Sequence, residues 1–205
     1  SEGQGSPTEV IFDGPDNIAV NLVELTDDDP SSKVGQMKIY TQKNGRTPTG
    51  LTPVVTSAHT TRDIDLDVVF HRKVLQNELL IDEVLSSEEQ NEFLQLPRNA
   101  KTAVKFMQGN HMFGKIALSQ PLNYECHDMV PDGIAPNIGY ISQAFKVCDL
   151  GFSEKAISDL GCEIYNKRRL VDFPGLGQIE IITVRAPGSG ALQLIFQSKR
   201  LIKKD

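Results

Sequence analysis

The stretch that most constrains this chain runs from Asp63 to Leu96 and is closed by Pro97. Asp63-Ile-Asp-Leu-Asp-Val-Val-Phe70 alternates carboxylates with apolar residues, the period of a half-buried strand. Ile64, Leu66, Val68 and Phe70 are therefore expected on a core face, and Asp63, Asp65 and Asp67 in water, where a row of charge also discourages edge-to-edge association. A helical pattern follows in two segments, the first burying Leu75, Leu79, Leu80 and Val84, the second Phe93 with Leu94 or Leu96. Overlapping capping boxes, Ser86 with Glu89 and Ser87 with Gln90, divide the two.

Short β-like runs precede this stretch: Glu9–Phe12, Ile18–Leu25 and Gln36–Thr41, with Gly14-Pro15 and the acidic 26–32 segment as turns. In the third run Met37, Ile39 and Thr41 alternate with Lys38, Tyr40 and Gln42. Asn44-Gly45 is a hairpin signal on its upstream side, but Pro48 and Pro53 cannot donate to a ladder. A long exposed loop is expected there, and loops on a rigid scaffold often carry function. Its residues Arg46, Thr47, Thr49, Leu51 and Thr52 are the candidate binding site for a partner.

Beyond Pro97, Ala100–Met107 fits a strand or a short helix, Phe113–Leu118 a buried strand, and 123–137 an irregular connection. Ile138–Val147 reads as a strand, and Ser153–Leu160 as a helix capped by Ser153 with Gly161 past its end. Gln178–Arg185 and Ala191–Gln197 form a hairpin across Ala186-Pro-Gly-Ser-Gly190. No internal repeat is visible. The reading is a polar tail at 1–7 and one α+β domain over 8–205: a β-rich antiparallel core, sandwich- or barrel-like, with a central helical segment and a C-terminal β-hairpin.

The charge is uneven. Residues 1–100 hold 17 acids against 8 bases, and the rest 10 acids against 13 bases. An acidic front half argues against nucleic acid as a partner, and Lys167-Arg168-Arg169, Lys199-Arg200 and Lys203-Lys204 read as solvated surface. No apolar run is long enough to span a membrane. No secretory leader is expected from the residues before Thr8, whose composition fits a processed or trimmed start. Cys126, Cys148 and Cys162 are compatible with one bridge and a free thiol, or with buried thiols.

Several motifs fall short of a chemistry. Gly109-Asn-His-Met-Phe-Gly114-Lys115 has the spacing of a phosphate-cradling loop, but Ile116 stands where magnesium needs Ser or Thr, so both glycines read as turn residues. His59, His71, His111 and His127 lack paired zinc spacing, which leaves only a site assembled from His71, His111 and His127. Ser189, between two glycines, reads as an exposed turn serine without the strand-to-helix elbow of a catalytic one. No metal and no cofactor are expected.

The order of the Asp13-Gly14 turn, Asn44-Gly45, Asn77-Glu-Leu-Leu80, Pro97-Arg-Asn-Ala100 and Cys126 is similar to that in the secreted out-at-first family. This chain has no counterpart of that family's cysteine-rich C-terminal part, and no function is carried across. The functional expectation is a non-enzymatic interaction or structural protein. It would act through surface loops on a protein partner or by self-assembly, in an extracellular or virion/assembly-associated setting rather than the cytoplasm. The alternatives are an enzyme of hydrolase type with a dispersed His/carboxylate site, and a carrier of a small apolar ligand.

Overall fold

The computed structural model describes residues 8–44 and 47–198. The tail at 1–7, Gly45, Arg46 and the basic residues from Lys199 onward lie outside them. Ten strands and four α-helices follow in the order β1 (Thr8–Asp13), β2 (Ala19–Glu24), α1 (Lys33–Asn44), β3 (Thr56–Thr60), α2 (Ile64–Val74), β4 (Glu78–Leu85), α3 (Glu88–Phe93), β5 (Thr102–Gln108), β6 (Lys115–Pro121), β7 (Ser142–Lys146), α4 (Leu150–Asp159), β8 (Ile164–Phe173), β9 (Gly177–Arg185) and β10 (Leu192–Ser198). The fold is α+β and β-rich and ends on the expected hairpin, β9 with β10.

The connectivity carries a repeat that the residues hide. One four-stranded sheet has the order β3-β6-β5-β4 and the other β7-β10-β9-β8. Each is a strand–helix–strand–strand–strand unit whose first strand lies parallel to its last, while the other pairs are antiparallel. In each unit an aspartate three residues past the first strand caps the helix: Asp63 accepts from the Leu66 amide and Asp149 from the Phe152 amide, both at 3.0 Å. Such a cap contributes about 1 kcal/mol. Outside these shared caps and the apolar faces the sequences of the two units differ.

The central stretch departs most from its alternating pattern. Residues 64–74 are helix α2, not a strand, because over a seven-residue window periods of 2 and 3.6 select overlapping apolar positions. Ile64, Val68, Phe70, His71 and Val74 are buried, whereas Leu66 is 47% exposed. The three aspartates have separate fates. Asp63 is the cap, Asp65 reaches Lys105 Nζ at 3.0 Å, and Asp67 is buried. Residues 78–85, rich in helix formers, are the edge strand β4, because pairing with β5 outweighs local propensity. Leu79, Leu80 and Val84 accordingly stay partly exposed. The Ser87–Gln90 capping box does form and opens α3, where Asn91 is buried and Phe93 is not.

Two further elements differ. Gln36–Thr41 lies in helix α1, burying Val34, Gly35 and Thr41 two turns apart, instead of forming a strand. Helix α4 starts earlier than expected, and its cap is Asp149; Ser153 is buried and donates to the Val74 carbonyl at 2.7 Å, fastening α4 to the end of α2. One core packs Phe70, Val74 and Leu75 of the α2 region against Leu150, Ile157, Ile182, Val184 and Ile195; a second joins Ile64 and Val68 to Met107, Ile116 and Leu118. Phe145 touches both, so the helices and the inner sheet faces of the two units share one interior. The basic run at 167–169 lies in β8, where Arg168 bridges Glu154 and Glu180.

Candidate functional site

The two sheets meet where their first strands face each other. Gln143 of β7 donates from Nε2 to Ser57 Oγ of β3 at 2.9 Å. Gln193 of β10 is the register partner of Gln143, and His59 stands two residues beyond Ser57 on the same face of β3. A polar row thus crosses the seam: Gln193, Gln143, Ser57, then His59. It ends at Asp67 of α2, whose Oδ2 lies 3.8 Å from His59 Nε2. That distance brings the groups together without a hydrogen bond.

Along this row polar atoms lack partners. Gln193 is 1% exposed and Gln143 7%. Their Oε1 atoms, His59 Nε2 and Asp67 Oδ2 are all buried with no hydrogen bond within the chain. An unsatisfied buried group costs about 1–3 kcal/mol, and four of them in one row would be expensive in a purely structural interior.

Gln193, Gln143 and His59 of this row line a cleft of about 710 Å³ between the units, while Ser57 and Asp67 lie behind them, and the size is typical of small-molecule sites. Its mouth is framed by Arg62, the segment from Cys126 to Gly133, Tyr140, and Arg185 with the β9–β10 loop. Arg62 holds the frame together, pairing with Asp128 and donating to the Ser189 carbonyl at 3.3 Å. That pairing keeps the Asp128 carboxyl below its usual range, together with the Val130 amide. Arg185 donates to the Gly190 carbonyl at 2.9 Å and lies over the Tyr165 ring.

Asp67 is fixed from the other unit. The β9–β10 loop inserts Gly188 against the first turn of α2, and its amide donates to Asp67 Oδ1 at 2.8 Å. Burial pushes the Asp67 carboxyl up, but His59, Thr61 and the Gly188 amide together bring it below the ordinary value, so it is a carboxylate near neutrality. His71, one helical turn on, is held edge-on between Phe70 and Phe145. Burial, then the nearness of His59, lowers it to about 4, and Asn77 Nδ2 lies 3.2 Å from its Nδ1. His71 is a neutral core residue.

The other candidates fall elsewhere. Thr47, Thr49, Leu51 and Thr52 lie between α1 and β3, where the Thr47 hydroxyl sits 2.8 Å from both Thr49 Oγ1 and the Leu51 carbonyl; the cleft takes no wall residue from this loop. His111 meets Tyr40 and Phe113 in the β5–β6 connection, His127 frames the cleft, and His71 is in the core. Among the described residues no group of three or more His, Cys, Asp or Glu side chains is placed to hold a metal ion. The three cysteines are free. Gly109–Lys115 is a hairpin connection in which Gly114 has φ +78°, and a strand follows it. Ser189, expected to be exposed, is 2% exposed. The residues that build the site, His59, Arg62, Gln143 and Gln193, were not singled out by motif. The available signal was an amide inside an apolar strand: Gln193 shares the parity of buried Ile195.

No protein-family model and no curated protein matches this sequence, so the similarity to the out-at-first family gains no support. Solved structures do match. A glyoxalase family protein from Bacillus cereus superposes with a TM-score of 0.59 at 15% identity, covering 75% of this chain and 98% of that one. The fold is that of glyoxalase structures. Glyoxalase I from Zea mays covers 95% of this chain at 14% identity with a TM-score of 0.52, and a mutant of it reaches 0.57. This chain spans 55% of the maize chain. The expectation of a non-enzymatic interaction or structural protein is thereby overturned. The sheets that the sequence suggests as a scaffold for surface loops instead have the fold seen in glyoxalase structures, and a cleft lies between them. No helix among the described residues is long and apolar enough to cross a membrane.

Proposed function

We propose that this chain is an enzyme that binds a small hydroxylated or amino-bearing molecule in the cleft between its two units and moves a proton on it. The observation that carries the reading is the row of unpartnered polar atoms on the inner wall. The two glutamine Oε1 atoms are acceptors in want of donors, and a ligand's O–H or N–H groups supply them. His59 is the proton-transfer group. With Nε2 turned toward Asp67, its Nδ1 is the ring atom that meets the ligand, and Asp67 is a positioning residue that orients the imidazole and balances the charge it gains. Arg62 and Arg185 at the mouth are engaged within the chain, by Asp128 and the Ser189 carbonyl and by Glu163 and the Gly190 carbonyl, and serve to frame the entrance. Fold analogy to the glyoxalases raises the prior for catalysis without naming a substrate.

The test is solvent-deuterium uptake. Small oxo acids and hydroxy ketones, whose C–H beside the carbonyl leaves its electron pair as an enolate, are screened for thermal stabilisation of the protein, and each binder is then incubated with it in D2O. Binders should exchange a carbon-bound proton with the wild type and should not with His59→Gln, while Gln193→Leu should lose binding itself. Compounds that bind in the cleft but take up no deuterium would refute the proton-transfer role.

A further inference from the structure

Gln143 and Gln193 stand opposite each other on neighbouring parallel strands, β7 and β10. Such strands lie about 4.8 Å apart, so the two side chains are neighbours on one face. Both line the cleft, and both Oε1 atoms are buried without a hydrogen bond. Gln143 commits its Nε2 to Ser57, which leaves its oxygen as the atom still to be satisfied. A ligand that satisfies both oxygens with one group must bring at least two donors there. A hydroxyl has a single proton and serves one glutamine. A carboxylate has none and would meet only acceptors, whereas a primary ammonium has three.

The charges around the cleft select the same group. Among the described residues lining it, the permanent cations are Arg62 and Arg185. Arg62 is paired with Asp128, and Arg185 lies 3.5 Å from Glu163 and donates to the Gly190 carbonyl, so neither is left over for an anionic ligand. At the far end of the row Asp67 is 1% exposed, with Oδ1 taken by the Gly188 amide and Oδ2 unpartnered. Its histidine neighbours do not offset it. His71 is neutral in the core, and His59 must begin unprotonated to accept a proton from the ligand. One buried negative charge is thus uncompensated beside the cleft, a costly state that a ligand cation relieves and a ligand anion worsens. We infer that the ligand carries a protonated primary amine, seated between the carboxamide oxygens of Gln143 and Gln193. With His59 taking the proton beside a carbonyl, and the electron pair staying on the substrate as an enolate, the substrate class is a small amino ketone. The amine seat rests on the cleft being the binding site proposed above, and the carbonyl half on the proton-transfer role.

Three probes with one carbon skeleton test the amine: 1-aminopropan-2-ol, propane-1,2-diol and lactate, titrated into the wild type by calorimetry near neutral pH. The amine should bind at least about tenfold more tightly than the diol, and lactate more weakly than either. Gln193→Leu should erase that preference, and Gln193→Glu, which keeps an acceptor and adds charge, should widen it; circular dichroism checks that each variant is folded. A diol or lactate bound as tightly as the amine would overturn the inference, as would an amine preference that survives in Gln193→Leu. Deuterium uptake separates the two halves. If 1-aminopropan-2-one binds with the amine preference but exchanges no deuterium, the ammonium seat stands and the proton-transfer role falls. If hydroxyacetone and pyruvate bind and exchange as well as the amino ketone, proton transfer stands and the ammonium seat falls.

Discussion

Replacing Gly188 with alanine tests how the two units are locked together. A Cβ at this position would lie 2.0 Å from the Asp63 carbonyl oxygen, 2.8 Å from Asp67 Cγ and 2.9 Å from its Oδ1. The first neighbour is backbone in the capped turn of α2 and cannot swing aside, so the loop must withdraw. Withdrawal breaks the hydrogen bond from the Gly188 amide to Asp67 Oδ1, beside an Oδ2 that already lacks a partner. A buried hydrogen bond to a charged group is worth ~1.5–3 kcal/mol, and overpacking adds ~1–3 kcal/mol. The expected loss is therefore ~3–5 kcal/mol, or roughly 6–20 °C in Tm for a chain of this size. The control is Gly175→Ala, at φ +81° with nothing within 4 Å, which costs only left-handed strain of about 1–2 kcal/mol. Urea titrations of both variants at pH 7 read the difference. If Gly188→Ala loses no more than Gly175→Ala, the loop does not hold Asp67 and the account of the lock is wrong.

Acid should destabilise the protein through His71. Its folded value, about 4, lies below the ordinary 6.5, so the unfolded chain binds the proton first. The stabilisation is complete above pH 6.5 and lost as pH falls to 4, by about 3 kcal/mol; His71→Gln should flatten the unfolding free energy across that window. Asp67, with its lowered carboxyl, adds a loss only below its unfolded value near 3.8. Gln193→Leu should raise Tm by removing an unpartnered buried acceptor, ~1–2 kcal/mol, while abolishing ligand-induced stabilisation; a fall in Tm would mean the amide is structural. Asp149→Ala should cost about 1 kcal/mol in urea unfolding by uncapping α4, and Arg168→Ala less than about 1 kcal/mol, because its two ion pairs are solvent-screened.

The candidate site is poorly legible because its members come from three strands, the turn after β3 and a helix. His59, Gln143 and Gln193 are separated by most of the two units, and what unites them is register across β3, β7 and β10. No local spacing encodes such a set. Helix α2 is ambiguous in the sequence for a different reason: Ile64, Val68 and Phe70 satisfy two periods at once, and only the burial of Asp67 and His71 on the core side breaks the tie.

By itself the sequence determined the α+β class, the turns at Gly14-Pro15 and Gly114, the Ser87 capping box and the C-terminal hairpin, because each rests on a local preference of backbone or cap. Tertiary structure decided the rest. The edge strand β4 exists because β5 offers hydrogen bonds that helix propensity cannot match, and the repeat exists as topology without a matching repeat in the residues. The cleft exists because two first strands meet and leave polar atoms facing inward without partners, a matter of distance in space that the order of residues does not record.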